Sequence, residues 1–201
     1  MRERGRSSVA TLPNLLGIFR IAATPVIMAL LLVEIPGSDL AAGLLFAAAG
    51  ISDFFDGWIA RSRNQVSPLG IFMDLAADKV LVAGVLIAMV EIGFVPTWMA
   101  ATILIREFVV QAVRQLAAAE DVVISARRLG KAKTLTTLAG LGLLFLAADA
   151  MTGGPLAATC AASALEAAGF WTLLLATLLT VVSGLAYLRG AWPILVGRPP
   201  T

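Results

Sequence analysis

Six long apolar stretches, at about 13–34, 39–62, 68–90, 97–118, 130–150 and 169–190, divide the chain. Each is long enough to cross the roughly 30 Å hydrocarbon core of a bilayer as a helix, at about 1.5 Å of rise per residue. Residues that favour turns separate them: Pro36-Gly37-Ser38, Asn64 to Pro68, Gly93 to Pro96 and Thr152-Gly153-Gly154-Pro155. Pro25 stands inside the first stretch, where a missing backbone donor favours a kink. The pattern predicts an all-α fold: one integral membrane bundle of six transmembrane helices occupying residues 1–201 as a single domain, with no internal repeat.

Charge then orients the bundle. Arg2, Arg4 and Arg6, then Arg61 and Arg63, then Arg127, Arg128, Lys131 and Lys133, then Arg189 and Arg198 all fall at one set of span ends. The opposite connections carry Glu34, Asp39, Glu91, Asp149 and Glu166, with no lysine or arginine. Excess positive charge marks the cytoplasmic side. Both termini are therefore expected in the cytoplasm, with 1–12 a basic cytoplasmic segment and the protein in the cytoplasmic (inner) membrane. The N-terminus superficially resembles a signal peptide. Its apolar run is too long, contains Arg20 and lacks a small-residue cleavage site, so it reads as a retained first span. Segment 151–168 becomes the longest outer connection, read mainly as a bland Ala/Gly/Ser linker, with a short helix around 156–168 as the alternative.

Composition agrees with a bilayer. Of 201 residues 59% are hydrophobic and 14% charged, and mean hydropathy is +0.91. The net charge of +2 does not point to nucleic acid, because the basic residues line span ends. Cys160 is the single cysteine, which excludes an internal disulfide, and histidine is absent. Acid–base chemistry must then rest mainly on carboxylates, lysine or Tyr187.

Against that apolar background, four acids stand out: Asp53 and Asp56 in the second stretch, Asp74 and Asp78 in the third. Spacings of three and four place each pair on one helical face. Asp53 lies about 12 Å before Arg61 along a helix, and Asp78 about 15 Å after Pro68. Two antiparallel spans joined by a short cytoplasmic turn therefore bring the pairs to similar depth. Acids within a membrane are costly and usually functional, and four together repel unless cations join them. Carboxylate oxygens, without sulfur or imidazole, suit Mg²⁺ or Mn²⁺. Two such ions can share the four acids and clamp a phosphoryl group. Ion pairing with Arg61, Arg63 and Lys79, or an ion or proton pathway, are the alternatives left open by these residues alone.

Asp53-Phe54-Phe55-Asp56-Gly57-Trp58-Ile59-Ala60-Arg61, followed after eight residues by Gly70-Ile71-Phe72-Met73-Asp74-Leu75-Ala76-Ala77-Asp78, resembles the full motif of the CDP-alcohol phosphotransferases. The resemblance extends to six spans with cytoplasmic termini. It implies attack of an alcohol on the β-phosphorus of a CDP-linked lipid, with release of CMP. It also implies that Asp53, Asp56 and Asp74 bind two divalent cations. Asp78 would then act beside the acceptor as metal ligand, general base or both, with Asp74 and Asp78 the catalytic pair. Asp56, Gly57, Ala60, Arg61 and Gly70 would line the CDP pocket. The family's usual homodimer is expected on the same ground.

A second group is cationic. Arg106 and Arg114 lie two turns apart in the fourth stretch, Lys131 and Lys133 open the fifth beside Gly130 and Thr134, and Asn14 and Arg20 sit in the first. Together they suit an acceptor that carries a phosphate. For Arg114, Lys131 and Lys133 the competing role is snorkelling to headgroups. Arg106 lies deeper, and its neighbour Glu107 is expected on another face. Ile105-Arg106-Glu107-Phe108-Val109-Val110, Leu129-Gly130-Lys131-Ala132-Lys133-Thr134 and Pro13-Asn14-Leu15-Leu16 with Arg20 and Pro25 look like the phosphatidylglycerophosphate synthase branch, although Ile105 stands where that branch often has a small residue. This implies CDP-diacylglycerol as donor, glycerol 3-phosphate as acceptor and phosphatidylglycerol phosphate as product. Phosphatidylinositol-phosphate synthase and cardiolipin synthase are alternatives within the family. A cation transporter is the alternative outside catalysis, although no symmetric halves with broken helices are evident. Small-residue helix association without catalysis is the structural alternative.

Overall fold

Each apolar stretch forms one helix. A computed structural model describes residues 12–62, 68–120, 127–159 and 161–196; within these, the side chains of 12, 13, 53–62, 68–72, 74, 127–129, 159, 194 and 195 lie outside the description. The helices are α1 (Leu12–Leu32), α2 (Ser38–Ser62), α3 (Pro68–Glu91), α4 (Thr97–Ala119), α5 (Arg127–Met151) and α6 (Ala162–Leu195), with a short 3₁₀ turn at Ala157–Thr159. Residues 14–32, 130–151 and 162–193 are long and apolar enough to cross a membrane. Charged residues interrupt α2, α3 and α4, and these are the helices that carry the candidate chemistry.

α1 packs against α2 and α3, α5 against α2 and α6, and α4 against α6. Small residues let these backbones approach. A Cβ at Gly84 on α3 would stand 2.4 Å from Thr24 Cγ2 on α1, and one at Gly43 on α2 would stand 2.9 Å from Phe145 Cβ on α5. Without a strong hydrophobic drive between helices in lipid, such close van der Waals contact is what holds a bundle together. The core centres on Ile27, Leu86, Met89, Leu141, Phe145 and Leu173. Phe46 and Phe145 meet there with ring centroids 5.3 Å apart. Two buried hydroxyls are satisfied within their own helices: Thr24 donates to Arg20 O at 2.9 Å and Thr177 to Leu173 O at 2.8 Å. Outward lie large apolar side chains such as Ile105, Leu135, Trp171 and Leu185, a surface that suits lipid contact.

The connection between α5 and α6 departs from expectation. α6 begins at Ala162, seven residues before the expected span, so the second half of the supposed linker is helix. Residues 162–168 contain alanine, leucine and glutamate and neither glycine nor proline, a composition that propagates helix well. Gly169, where the expected span began, is a crossing point inside the helix: a Cβ there would meet Leu144 Cδ2 at 2.7 Å. What remains of the connection is a built turn. The Thr152 hydroxyl donates to Asp39 Oδ2 at 2.7 Å, and the Leu156 amide donates to Asp149 Oδ2 at 2.9 Å. Gly153 adopts a positive φ of 79°, a region glycine reaches without strain. Asp39 and Asp149 are both buried, so this turn ties the end of α5 to the start of α2. At about 1.5 Å per residue α6 is about 51 Å long, well beyond the hydrocarbon core.

Candidate active site at the α3–α4–α5 junction

Asp78 and Lys79 are consecutive on α3, one turn beyond position 74. Asp78 borders a cavity that is also lined by Lys79, Glu107, Phe108, Lys133, Thr134 and Thr137. Three helices thus contribute polar groups to one void, and its walls are completed by Val82, Ile103, Leu104 and Leu138. Such a site, apolar with a few converging polar groups, has the form of a small-ligand pocket.

Glu107 is the hub. Its Oε1 accepts from Arg106 Nη1 at 2.9 Å and from Lys133 Nζ, and its Oε2 accepts from Lys79 Nζ. The Glu107 side chain is 11% exposed and that of Lys133 also 11%, so these are shielded contacts in which charge is felt strongly. Arg106 Nη2 donates to Ser183 Oγ on α6 at 2.9 Å. Its aliphatic stem lies against Gly184, where a Cβ would stand 2.9 Å from Arg106 Cγ. Arg106 Nε is buried and has no acceptor among the described residues.

The candidate residues distribute as follows. The structure brings Asp78, Lys133 and Thr134 to one cavity, with Arg106 joined to it through Glu107. Thr134 is exposed and donates to Gly130 O at 3.1 Å. Asn14 and Arg20 are buried on α1 and are not among the residues lining this cavity. Arg114 is exposed, with its guanidinium 5.7 Å from the centroid of Tyr187, and Lys131 is exposed at the start of α5. Asp53, Asp56, Gly57, Ala60 and Arg61 fall on the last part of α2, and Gly70 and Asp74 on the first part of α3. Their side chains lie outside the described residues.

Four participants were not legible as site residues. Glu107 was expected on a different face from Arg106, yet the two long side chains span the roughly 100° between consecutive helical positions and meet. Lys79 read only as a possible partner for the aspartates. Ser183 and Gly184 gave no signal, since a small pair inside an apolar helix is ordinary.

With this geometry in view, the class of protein follows. The CDP-alcohol phosphatidyltransferase profile matches residues 10–182, and the chain belongs to that family of membrane transferases. Among relatives, it is 36% identical over 147 residues to a CDP-diacylglycerol–glycerol-3-phosphate 3-phosphatidyltransferase of Bacillus subtilis (strain 168), covering 67% of this chain and 76% of the relative. It is 35% identical over 178 residues to the enzyme of that name from Rickettsia bellii, covering 89% and 93%. A CMP-forming cardiolipin synthase of rice (Oryza sativa subsp. japonica) is 32% identical over 200 residues, covering 92% and 59%. Membership in an enzyme family stands against the transporter and purely structural alternatives.

Proposed function

We propose that this protein transfers the phosphatidyl group of CDP-diacylglycerol to glycerol 3-phosphate, giving phosphatidylglycerol phosphate and CMP. The observation that carries the acceptor assignment is the convergence of Lys79 and Lys133 beside Asp78 in one cavity, with Arg106 joined to it through Glu107. It is supported by the two bacterial relatives of that name.

The reaction is a single displacement. Asp78 takes the proton from the acceptor hydroxyl as its oxygen attacks the phosphorus that bears diacylglycerol. The new P–O bond forms as the bond to the CMP phosphate breaks, and CMP leaves with the electron pair. Lys133 and Arg106 hold the acceptor's phosphate, so its hydroxyl is oriented before attack, and Thr134 borders the same cavity. Asn14 and Arg20 from α1, and Arg114 and Lys131 at the cytoplasmic edge, complete the proposed acceptor-facing set. Asp56, Gly57, Ala60, Arg61 and Gly70 form the proposed CDP-binding segment. Asp53, Asp56, Asp74 and Asp78 would hold two divalent cations, Mg²⁺ or Mn²⁺. α2 and α3 run as helix through all four positions, and a donor set of carboxylates in a chain without histidine suits such hard ions. When bound, they supply positive charge for the phosphate oxygens and for departing CMP.

In the proposed topology all six helices span the cytoplasmic membrane, residues 1–201 form one domain, both termini face the cytoplasm and the cavity opens on that side. A homodimer is proposed from the family resemblance, and crosslinking in native membranes that yields only monomer would count against it. The deciding experiment gives purified protein CDP-diacylglycerol, Mg²⁺ and glycerol 3-phosphate, inositol phosphate or phosphatidylglycerol in competition. CMP release with glycerol 3-phosphate is the result expected. Preference for phosphatidylglycerol would instead assign the activity named for the rice relative.

A further inference from the structure

We infer that Glu107 is the positioning residue for the acceptor phosphate, gathering Lys79, Arg106 and Lys133 into one cationic receptor. This deepens the proposed function and rests on its assignment of the acceptor.

Three cations packed on three different helices repel one another, and in a shielded site that repulsion would drive them apart. Glu107 removes it by accepting one hydrogen bond from each: Lys79 comes from α3, Arg106 from α4 and Lys133 from α5. It does so without exhausting them. An ammonium has three donors and a guanidinium five, so each cation keeps donors for a second acceptor. Lys79 and Lys133, which line the cavity, have the most to spare, whereas on Arg106 Nη1 is taken by Glu107 and Nη2 by Ser183, and Nε is buried against Gly184. Charge points the same way. With Asp78 in the same cavity, three cations face two carboxylates and leave a formal +1, which favours an acceptor that brings negative charge, as a phosphate monoester does. An uncharged polyol leaves that positive charge unanswered. Glu107 therefore sets the placement of the cations. It touches neither reacting atom, and its effect is exerted through its three partners.

The test measures CMP release by the purified full-length protein, varying each substrate while the other is saturating. Glu107→Gln keeps the shape of the side chain and removes its charge. It is expected to raise the glycerol 3-phosphate KM about 10-fold or more, the loss of one charge-assisted hydrogen bond. The KM for CDP-diacylglycerol should change less than about 3-fold, and the preference for glycerol 3-phosphate over glycerol should shrink by a similar 10-fold. Glu107→Asp, which keeps the charge, should recover at least half of that loss on a logarithmic scale. Where Glu107→Gln does not accumulate as folded protein, Glu107→Asp and Lys79→Gln carry the test, each expected to raise the glycerol 3-phosphate KM about 3-fold and leave the donor KM in place. An unchanged glycerol 3-phosphate KM in these variants, or an equal rise for both substrates, overturns the inference. Failure of the underlying reading looks different: the wild-type protein itself would release no CMP with glycerol 3-phosphate.

Discussion

Arg106 on α4 reaches α6 through the space that Gly184 leaves open, and its stem would be 2.9 Å from any Cβ placed there. The neighbouring Ser183 then accepts from its guanidinium at 2.9 Å. A deep arginine is thus held by a slot and a tether on a helix that carries no other proposed site residue. Gly184→Leu should push Arg106 out of the slot and lower kcat/KM for glycerol 3-phosphate by about 10- to 100-fold, on the scale of a misplaced charge-assisted contact. Gly184→Ala should cost less. Steady-state CMP release by both variants checks this, and wild-type kinetics in Gly184→Leu would show that the slot is not needed.

Asp78→Asn should remove turnover by about 10²- to 10⁴-fold, the usual contribution of general acid–base catalysis, while the protein still elutes as folded material. Near-normal CMP release from this variant would remove Asp78 from the proposed mechanism.

Divalent cation removal gives an independent check. Chelation should abolish CMP release, and added Mg²⁺ or Mn²⁺ should restore it, because the proposed donors are all carboxylates. Full activity in excess chelator would leave the four acids without the role assigned to them.

At the opposite end of the bundle, Thr152→Val removes the donor to buried Asp39 and should destabilise by about 1–3 kcal/mol, the cost of orphaning a buried acceptor. Gly154→Ala should also destabilise, by about 1–3 kcal/mol as in overpacked cores, since a Cβ there would stand 1.9 Å from Asp149 Oδ1. Thermal unfolding in detergent measures both. Activity below the melting range should be unchanged.

The chain's single cysteine tests orientation. Cys160 lies in sequence between the 3₁₀ turn and α6, on the outer side of the proposed topology. A membrane-impermeant maleimide should label it in intact cells or spheroplasts. Labelling only after the membrane is opened would reverse the assignment of both termini to the cytoplasm.

The helix count, the limits of the first five helices to within a few residues and the family were legible in the chain itself. Apolar runs, turn residues and the spacing of Asp53, Asp56, Asp74 and Asp78 are all local features, and an α-helix is a local structure. In 151–168 the favoured linker reading gave way in part to the alternative of helix, since α6 starts at Ala162 and continues through Gly169, which packs against Leu144. The cationic group was legible as residue types. Its partners were not, because whether Arg106 meets Glu107 depends on where α3 and α5 deliver Lys79 and Lys133.

Covalent order and hydrophobic periodicity alone were enough to make this a helical membrane transferase with four acids at set positions. Which charges meet was settled only when α3, α4, α5 and α6 packed together. The contacts of Glu107 with Lys79 and Lys133, and of Arg106 with Ser183 and Gly184, join residues 26 to 78 positions apart, and no local rule along the chain encodes them.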